Sequence, residues 1–434
     1  MQGTVPAPLK ASVQLDTLGK ECIENVDGLF KYKDCVNITP LIMIDDILAI
    51  GPCGNESVKM NAIIQSKIET KQLRFGPSKC FKMLIGHKCK TTCPTLKVHN
   101  NVMETVDKEK YLGDILSNTG RINDNILERQ NKGTGYVNQI VSMLKEVSFG
   151  YHFYNMAMLF RNSILINGML CSSEALHGIT NAHVEQLETC DKMLFRSVFN
   201  SPVTTPTAAY YLETGSVQIK YLLKGRRVMY LWSILHQPED ELVWKVYNAQ
   251  KMFPVKDDWY FIIKNDFDVL GMEFDEENIR KIKKEKFKKM VDEKVREASH
   301  SHLLEEKKGK LSNLSNNYNM KQYLTTDRLT LVEKQLLFSL RTRMFRVKCN
   351  FRNGNLNDLM CSYCHTNSEE TQEHQLVCSG ILEPELRYEK VKYSDIFGSL
   401  DEQVEAAKHW MKIKQIRTIK EKERESSQQR SQAH

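Results

Sequence analysis

Apolar residues follow two different rhythms along this chain. In roughly the first 120 residues they fall in short runs. Leu41-Ile42-Met43-Ile44 and Ile47-Leu48-Ala49-Ile50 bracket Asp45-Asp46, and Gly51-Pro52 closes the unit, a pattern that predicts strand, tight turn, strand. Leu9 to Glu21 carries Leu9, Val13 and Leu15 or Leu18 at helical spacing. Glu56 to Gln72 repeats Val58, Met60, Ile63, Ile64 and Ile68 and predicts a second helix, broken by Gly76-Pro77. Short strands are expected at Phe81 to Gly86, Leu96 to Val98 and Lys110 to Leu116. Beyond residue 120 the period becomes helical. Asn123 to Leu144 shows an interruption at Gly133 to Gly135, and Tyr151 to Leu170, Val184 to Phe199, Thr207 to Glu213 and Gln218 to His236 follow. The fold class predicted is α+β, with short strands and helices first and a mostly α-helical remainder.

The last third alternates charge and pattern. Acidic Asp266, Asp268, Glu273 and Asp275 to Glu277 precede the basic run Arg280 to Lys289, which reads as a solvated helix face or a phosphate-binding stripe. Lys308 to Asn319, rich in Ser and Asn, has linker composition. Thr330-Leu331-Val332-Glu333 is a capping box, opening a helix expected to reach about Val347 and to bury Val332, Leu336, Leu340 and Val347. Lys334, Arg341 and Lys348 recur every seven residues, so on such a helix they form an edge that can follow a phosphate backbone. After Leu382 one helical pattern, Ile396 to Trp410, precedes a polar end, Met411 to His434, expected to fray.

Composition narrows the class. The 434 residues are 26% charged and 41% hydrophobic, which suits a globular chain of several domains. No run of about 18 apolar residues occurs, so no membrane partner is expected. Met1-Gln2-Gly3-Thr4-Val5-Pro6 shows no secretory pattern, and an intracellular place, nuclear or cytoplasmic, is expected. Twelve cysteines in that setting point to reduced thiols and metal ligands. A net charge of +7 permits a polyanionic partner.

Two motifs carry chemistry. Asp45-Asp46 is a poor turn on folding grounds, since two-residue hairpin loops favour Asn-Gly or Asp-Gly. Two carboxylates about 4 Å apart repel by roughly 4 kcal/mol at an effective dielectric near 20. A cation removes that cost, and paired carboxylates holding Mg²⁺ perform nucleotidyl transfer; a solvated acidic turn is the alternative. Cys361-x₂-Cys364-x₉-His374-x₃-Cys378 is more specific. Four sulfur and imidazole donors fit tetrahedral zinc with no open position, hence a structural Zn²⁺. His374 and Cys378, four apart, share a face if that segment is helical; His365 is a competing donor. His87, Cys89 and Cys93, with Cys80 a strand away, match no common finger spacing; zinc is one reading of the cluster, and buried free cysteines beside an unrelated histidine are the other.

In order, Gln2-Gly3 with Pro8, Met43-Ile44-Asp45-Asp46, Gly76-Pro77-Ser78-Lys79 and Tyr111-Leu112-Gly113 resemble the palm motifs of the reverse transcriptases of non-long-terminal-repeat (LINE-type) retrotransposons. That family also carries a Cys-Cys-His-Cys element after its thumb, so the resemblance runs from Gln2 to about Cys378. It implies a partial palm over 1–120, a helical thumb over 121–250, a charged connector over 251–320, a basic helix with zinc knuckle over 321–382 and a tail over 383–434. It implies that Asp45 ligates catalytic Mg²⁺ with Asp46 in support, that Lys79 sits near the triphosphate, that Gln2 and Gly3 lie under template and nucleotide, and that Tyr111 and Gly113 help grip the primer. Zinc knuckles bind RNA by stacking and backbone contacts, and Tyr363 is the stacking candidate, with local packing as the alternative.

Two departures qualify the resemblance. Met43 stands where the family has an aromatic residue. The chain also begins inside the Gln-Gly motif, downstream of the family's first palm aspartate and fingers. The expectation is therefore a truncated RNA-directed DNA polymerase, inactive alone, that retains binding of RNA or an RNA–DNA duplex. A decayed product without a role, or a partial reading of a longer active enzyme, are the alternatives. Oligomeric state is not legible.

Overall fold

The computed structural model describes residues 31–38, 40–43, 46–51, 54–85, 94–146, 149–176, 178–351, 359–364, 366–384 and 391–432. The helix expected at Leu9 to Glu21, together with Gln2, Gly3, Asp45, His87, Cys89, Cys93 and His365, lies outside these residues. The chain forms two compact units, each assembled from separate stretches: Met1–Glu128, Ser172–His183 and Arg226–Val291 in the first, and Arg129–Cys171, Val184–Gly225 and Asp292–His434 in the second. The fold is mixed α+β, and its C-terminal part is mostly helical.

Among the described residues of the first unit the strands occur only in pairs. β1 (Lys31–Tyr32) pairs with β2 (Val36–Asn37), and β3 (Leu41–Met43) with β4 (Asp46–Leu48). β5 (Phe81–Lys82) runs parallel to β8 (Glu104–Thr105), β6 (Lys97–Val98) pairs with β7 (Asn101–Val102), and β9 (Lys108–Tyr111) with β10 (Asp114–Ser117). Two-stranded ribbons are marginal by themselves, so packing must hold them. In β3–β4, Ile42 opposes Ile47, and both lie against Met60, Ile64 and Ile68 of the helix Asn55–Thr70. Those three helix residues recur every four positions and form one buried stripe, each contributing about 2 kcal/mol. Side chains alternate across a strand, so the pair Met43 and Asp46 turns to the other face; Met43 is 53% exposed.

The segment Lys110 to Leu116, read as one strand, folds as a hairpin instead. Leu112 and Gly113 take φ of 49° and 93° between β9 and β10. Positive φ at both central positions is what a two-residue hairpin loop demands. In this unit Arg227 and Asp266 form a buried pair, 2.5 Å from Nε to Oδ2, and Tyr247 of the helix Leu242–Met252 meets the rings of Trp259 and Tyr260 on Trp259–Val269 and donates to Glu276 at the start of Glu276–Lys281 at 2.8 Å. The basic run belongs mainly to the helix Lys284–Glu306, which buries Phe287, Val291 and Val295 and leaves Lys286 and Lys288 exposed.

The second unit packs helices around stacked aromatic rings. Phe195 and Tyr210 are 5.2 Å apart, and Phe338 contacts both Phe199 and Tyr210. The helix expected to break at Gly133 runs unbroken over Asn123–Glu146. A Cβ on Gly133 would meet Cys190 Sγ at 2.8 Å and Met169 Sδ at 2.9 Å, so the glycine serves close helix approach. The expected linker is packed as well: Leu311, Leu314 and Tyr318 are buried, and the Tyr318 ring stacks 4.7 Å from His300. Its Ser and Asn residues close local turns while these three anchors face inward.

The C-terminal end departs furthest from expectation. Instead of fraying after Met411, the helix runs over Leu400–Gln432 and buries Trp410, Ile413 and Arg417. Among the described residues, no helix is long and apolar enough to cross a membrane.

Candidate metal centre

Cys361, Cys364, His374 and Cys378 converge in the second unit, and their donor atoms lie within 4.8 Å of one another. The Cys361 and Cys378 sulfurs are 3.7 Å apart, and Cys364 Sγ is 3.3 Å from His374 Nε2. A zinc tetrahedron with Zn–S bonds near 2.3 Å has S–S edges of about 3.8 Å. The four donors therefore fit a metal ion such as zinc, and a complete four-ligand shell makes such an ion structural.

Short-range bonds build the site. Leu359 to Cys361 pairs with Ser368 to Glu370, through Cys361 N to Ser368 O at 2.8 Å and Glu370 N to Leu359 O at 2.7 Å. That loop holds Cys361 and Cys364 together, and the Tyr363 amide donates to Cys361 Sγ at 3.4 Å. Thr371 caps the next element, its hydroxyl accepting from His374 N at 3.0 Å. The helix expected to pair His374 with Cys378 is a single turn, Gln372–Gln375. Cys378 lies beyond it and reaches the cluster through the turn made by Val377 N on His374 O.

The thiols are electrostatically unequal. Burial nudges Cys364 upward, yet bonds from Thr366, Cys361 and His374 outweigh it and pull the thiol down to about 6. Burial pushes Cys378 up to about 12, the Gly380 amide opposing and the nearby Cys361 adding to the rise. Three sulfurs this close cannot all ionise without a cation; a divalent ion would hold all three as thiolates.

The residues that brace the site were not legible in the motif. A Cβ on Gly380 would sit 1.6 Å from the Tyr363 carbonyl oxygen and 2.8 Å from Cys364 N, so only glycine lets the two loops meet. The C-terminal helix ties both loops down. Arg417 donates to Gln375 Oε1 at 2.9 Å and to Glu370 at 3.1 Å, Lys420 to Gly380 O at 2.6 Å, and Arg424 to Ser362 O. Tyr363 OH donates to Glu421 at 2.7 Å, and the Arg417 and Arg424 guanidiniums lie over its ring at 5.1 and 4.7 Å. Tyr363, expected as a base-stacking residue or a packing one, is thus engaged in packing. The four-residue rhythm of Ile413, Arg417 and Glu421 was the available signal for this brace.

The other candidates separate into groups. Asp46 is exposed on β4, and its charge reaches Tyr111, whose phenol is raised first by burial and then by Asp46. Lys79 is exposed on the turn Pro77–Lys79. Gly113 serves its hairpin loop. Among the described residues, no group of three or more His, Cys, Asp or Glu donors gathers at the β3–β4 hairpin.

The basic edge is corrected outright. The capping box forms as expected, with Thr330 N donating to Glu333 Oε2 at 2.7 Å, but the helix ends at Arg341. Thr342 Oγ1 bonds Phe338 O at 2.7 Å, and Arg343 turns to φ 58°, which stops it. Val332 is 48% exposed, whereas Lys334 and Arg341 are only 1% and 3% exposed. Arg341 is held by Glu213 at 3.0 Å and the Ile396 carbonyl at 2.5 Å. Lys348 belongs to a separate turn, Lys348–Asn350. These three residues form no phosphate-following edge.

No family model, curated protein or solved structure matches this chain.

Proposed function

We propose that this chain is a LINE-type reverse transcriptase derivative that binds nucleic acid, RNA in preference to duplex DNA, through a C-terminal module built on a structural zinc ion. The observation that carries the reading is the convergence of Cys361, Cys364, His374 and Cys378, the last motif in the ordered series running from Gln2-Gly3. In this reading the first unit holds the palm remnant and the helices after residue 120 the thumb. Asp45 and Asp46 are the inherited Mg²⁺ ligands. Two-metal phosphoryl transfer needs carboxylates from more than one strand, so the hairpin alone supports binding and not polymerisation.

The test uses the purified full chain. Metal analysis is expected to give one zinc per chain, and the Cys361→Ser/Cys364→Ser variant is expected to lose it. Anisotropy titrations with labelled single-stranded RNA and an RNA–DNA duplex over a salt series are expected to show affinity falling as salt rises. Unchanged metal content in the variant, or a salt-independent Kd, overturns the reading. Templated primer extension by the wild type with Mg²⁺ would overturn its non-catalytic part.

A further inference from the structure

The basic run from Arg280 to Lys288 lies wholly in the first unit, which includes Arg226–Val291. It covers the end of the helix Glu276–Lys281, an extended step at Ile282 with φ −89° and ψ 129°, and the first turns of the helix Lys284–Glu306. Two rings pin that step. Trp232 Nε1 donates to Ile282 O at 2.9 Å, and His236 Nε2 lies 3.1 Å from Arg280 O. The indole and imidazole stack at 3.7 Å, and the Lys284 ammonium lies 5.8 Å from the Trp232 ring centroid. Ile279 on one side of the step and Phe287 on the other are buried, so the backbone carrying the charges is anchored at both ends.

The charges on this segment are not balanced locally. Arg280, Lys281, Lys283, Lys284, Lys286 and Lys288 are all exposed, and Glu285 is the one carboxylate among them in sequence. Among the described residues, no ion pair joins any of these six cations to a carboxylate. Glu276, upstream, is already engaged by Tyr247 Oη and Lys251 Nζ, each at 2.8 Å. Further along the same helix the pattern changes. Asp292, Glu293 and Glu297 interleave with the cations there, and Lys294 pairs with Glu297 at 2.8 Å. Such alternation is how a solvated helix face balances its charge. Lys284 and Lys288 do the opposite. They are like charges at i and i+4, which destabilise a helix unless an anion lies along them.

Helix geometry separates these lysines. Positions four apart share a face and stand about 6 Å apart along the axis, whereas positions two apart are turned by about 200°. Lys284 and Lys288 therefore form one edge, and Lys286 points away from it. The neighbouring cations raise the positive potential that draws a polyanion in.

We infer that the Lys284–Lys288 edge contacts the phosphate backbone of single-stranded nucleic acid, as a second contact surface carried by the first unit and not by the zinc module. The inference rests on the nucleic-acid-binding reading above and adds a surface to it.

The test is anisotropy of a labelled oligoadenylate with the full-length chain over a salt series. Lys284→Gln/Lys288→Gln keeps helix-forming residues and is expected to lower the salt slope of log Kd by about 1.4, at about 0.7 per phosphate contact on a single strand. Circular dichroism and zinc content are expected to match wild type. Lys284→Arg/Lys288→Arg is expected to keep the wild-type slope. Lys256→Gln/Lys286→Gln removes the same net charge from two exposed lysines off this edge and is expected to leave the slope unchanged. If wild type binds and Lys284→Gln/Lys288→Gln shows an unchanged slope, or if both glutamine pairs lower the slope equally, the edge is refuted while the binding reading stands. If wild type binds no nucleic acid, both fall.

Discussion

Replacing Arg341 by Met separates the structural role of this side chain from the phosphate contact its sequence position suggested. Glu213 has no solvent exposure, and its carboxylate is met by Arg341 Nε at 3.2 and 3.1 Å and by a terminal nitrogen at 3.0 Å. At 3.0 Å and an effective dielectric near 20, the Coulomb attraction alone is about 5–6 kcal/mol. Arg341→Met leaves the Glu213 charge buried without its partner and is expected to destabilise by about 3–5 kcal/mol, the usual range for a broken buried pair. The double variant Arg341→Met/Glu213→Leu removes both charges and is expected to recover most of that loss. Urea unfolding followed by far-ultraviolet circular dichroism measures both, with RNA affinity measured in parallel at a temperature where each variant is folded. If Arg341→Met keeps wild-type stability but weakens RNA binding several-fold, the assignment of Arg341 to the core is wrong.

Two further outcomes follow from particular contacts. Gly380→Ala must push the Tyr363 carbonyl away by more than 1 Å, given the 1.6 Å separation, and is expected to weaken metal affinity about 10-fold to 100-fold in competition with a chromophoric chelator; unaltered affinity would count against the close approach. Glu188 is raised to about 7 by burial and the charge of Asp191, against the opposing charge of Lys192 and a backbone bond and charge from Lys220. The folded chain therefore holds a proton that the unfolded chain releases near pH 4.3, and the stability from Glu188 is full below that value and lost as pH rises through about 7. Glu188→Gln is expected to flatten the pH dependence in this window and to add of order 2 kcal/mol at pH 8. A stability curve that still falls as steeply between pH 4.3 and 7 would reject that account.

What was legible in the sequence is what short range decides. The β3–β4 hairpin, the helix carrying Met60, Ile64 and Ile68, the capping box at Thr330 and the four metal donors each depend on residues within a few turns of one another. The failures have a shared physical origin. Lys334 and Arg341 are hydrophilic by type, and nothing within their own helix reveals that Glu213, 128 positions from Arg341, takes that charge into the core. The Ser- and Asn-rich stretch after Lys308 has linker composition, yet Leu311, Leu314 and Tyr318 suffice to pack it. The polar tail carries Ile413, Ile416 and Ile419 beyond Trp410, but of these only Ile413 is fully buried, and its remaining anchors are charged groups whose partners lie in the metal loops. Gly380 is silent in sequence, because its requirement is the distance to another backbone and not its own φ.

Those tail anchors have a thermodynamic consequence. Lys420, Glu421 and Arg424 grip the same two loops that gather the sulfurs and the imidazole, so ion affinity and helix docking are one linked equilibrium. Sequestering the ion would set the last turns of the chain loose, and clipping those turns would make the ion easier to strip.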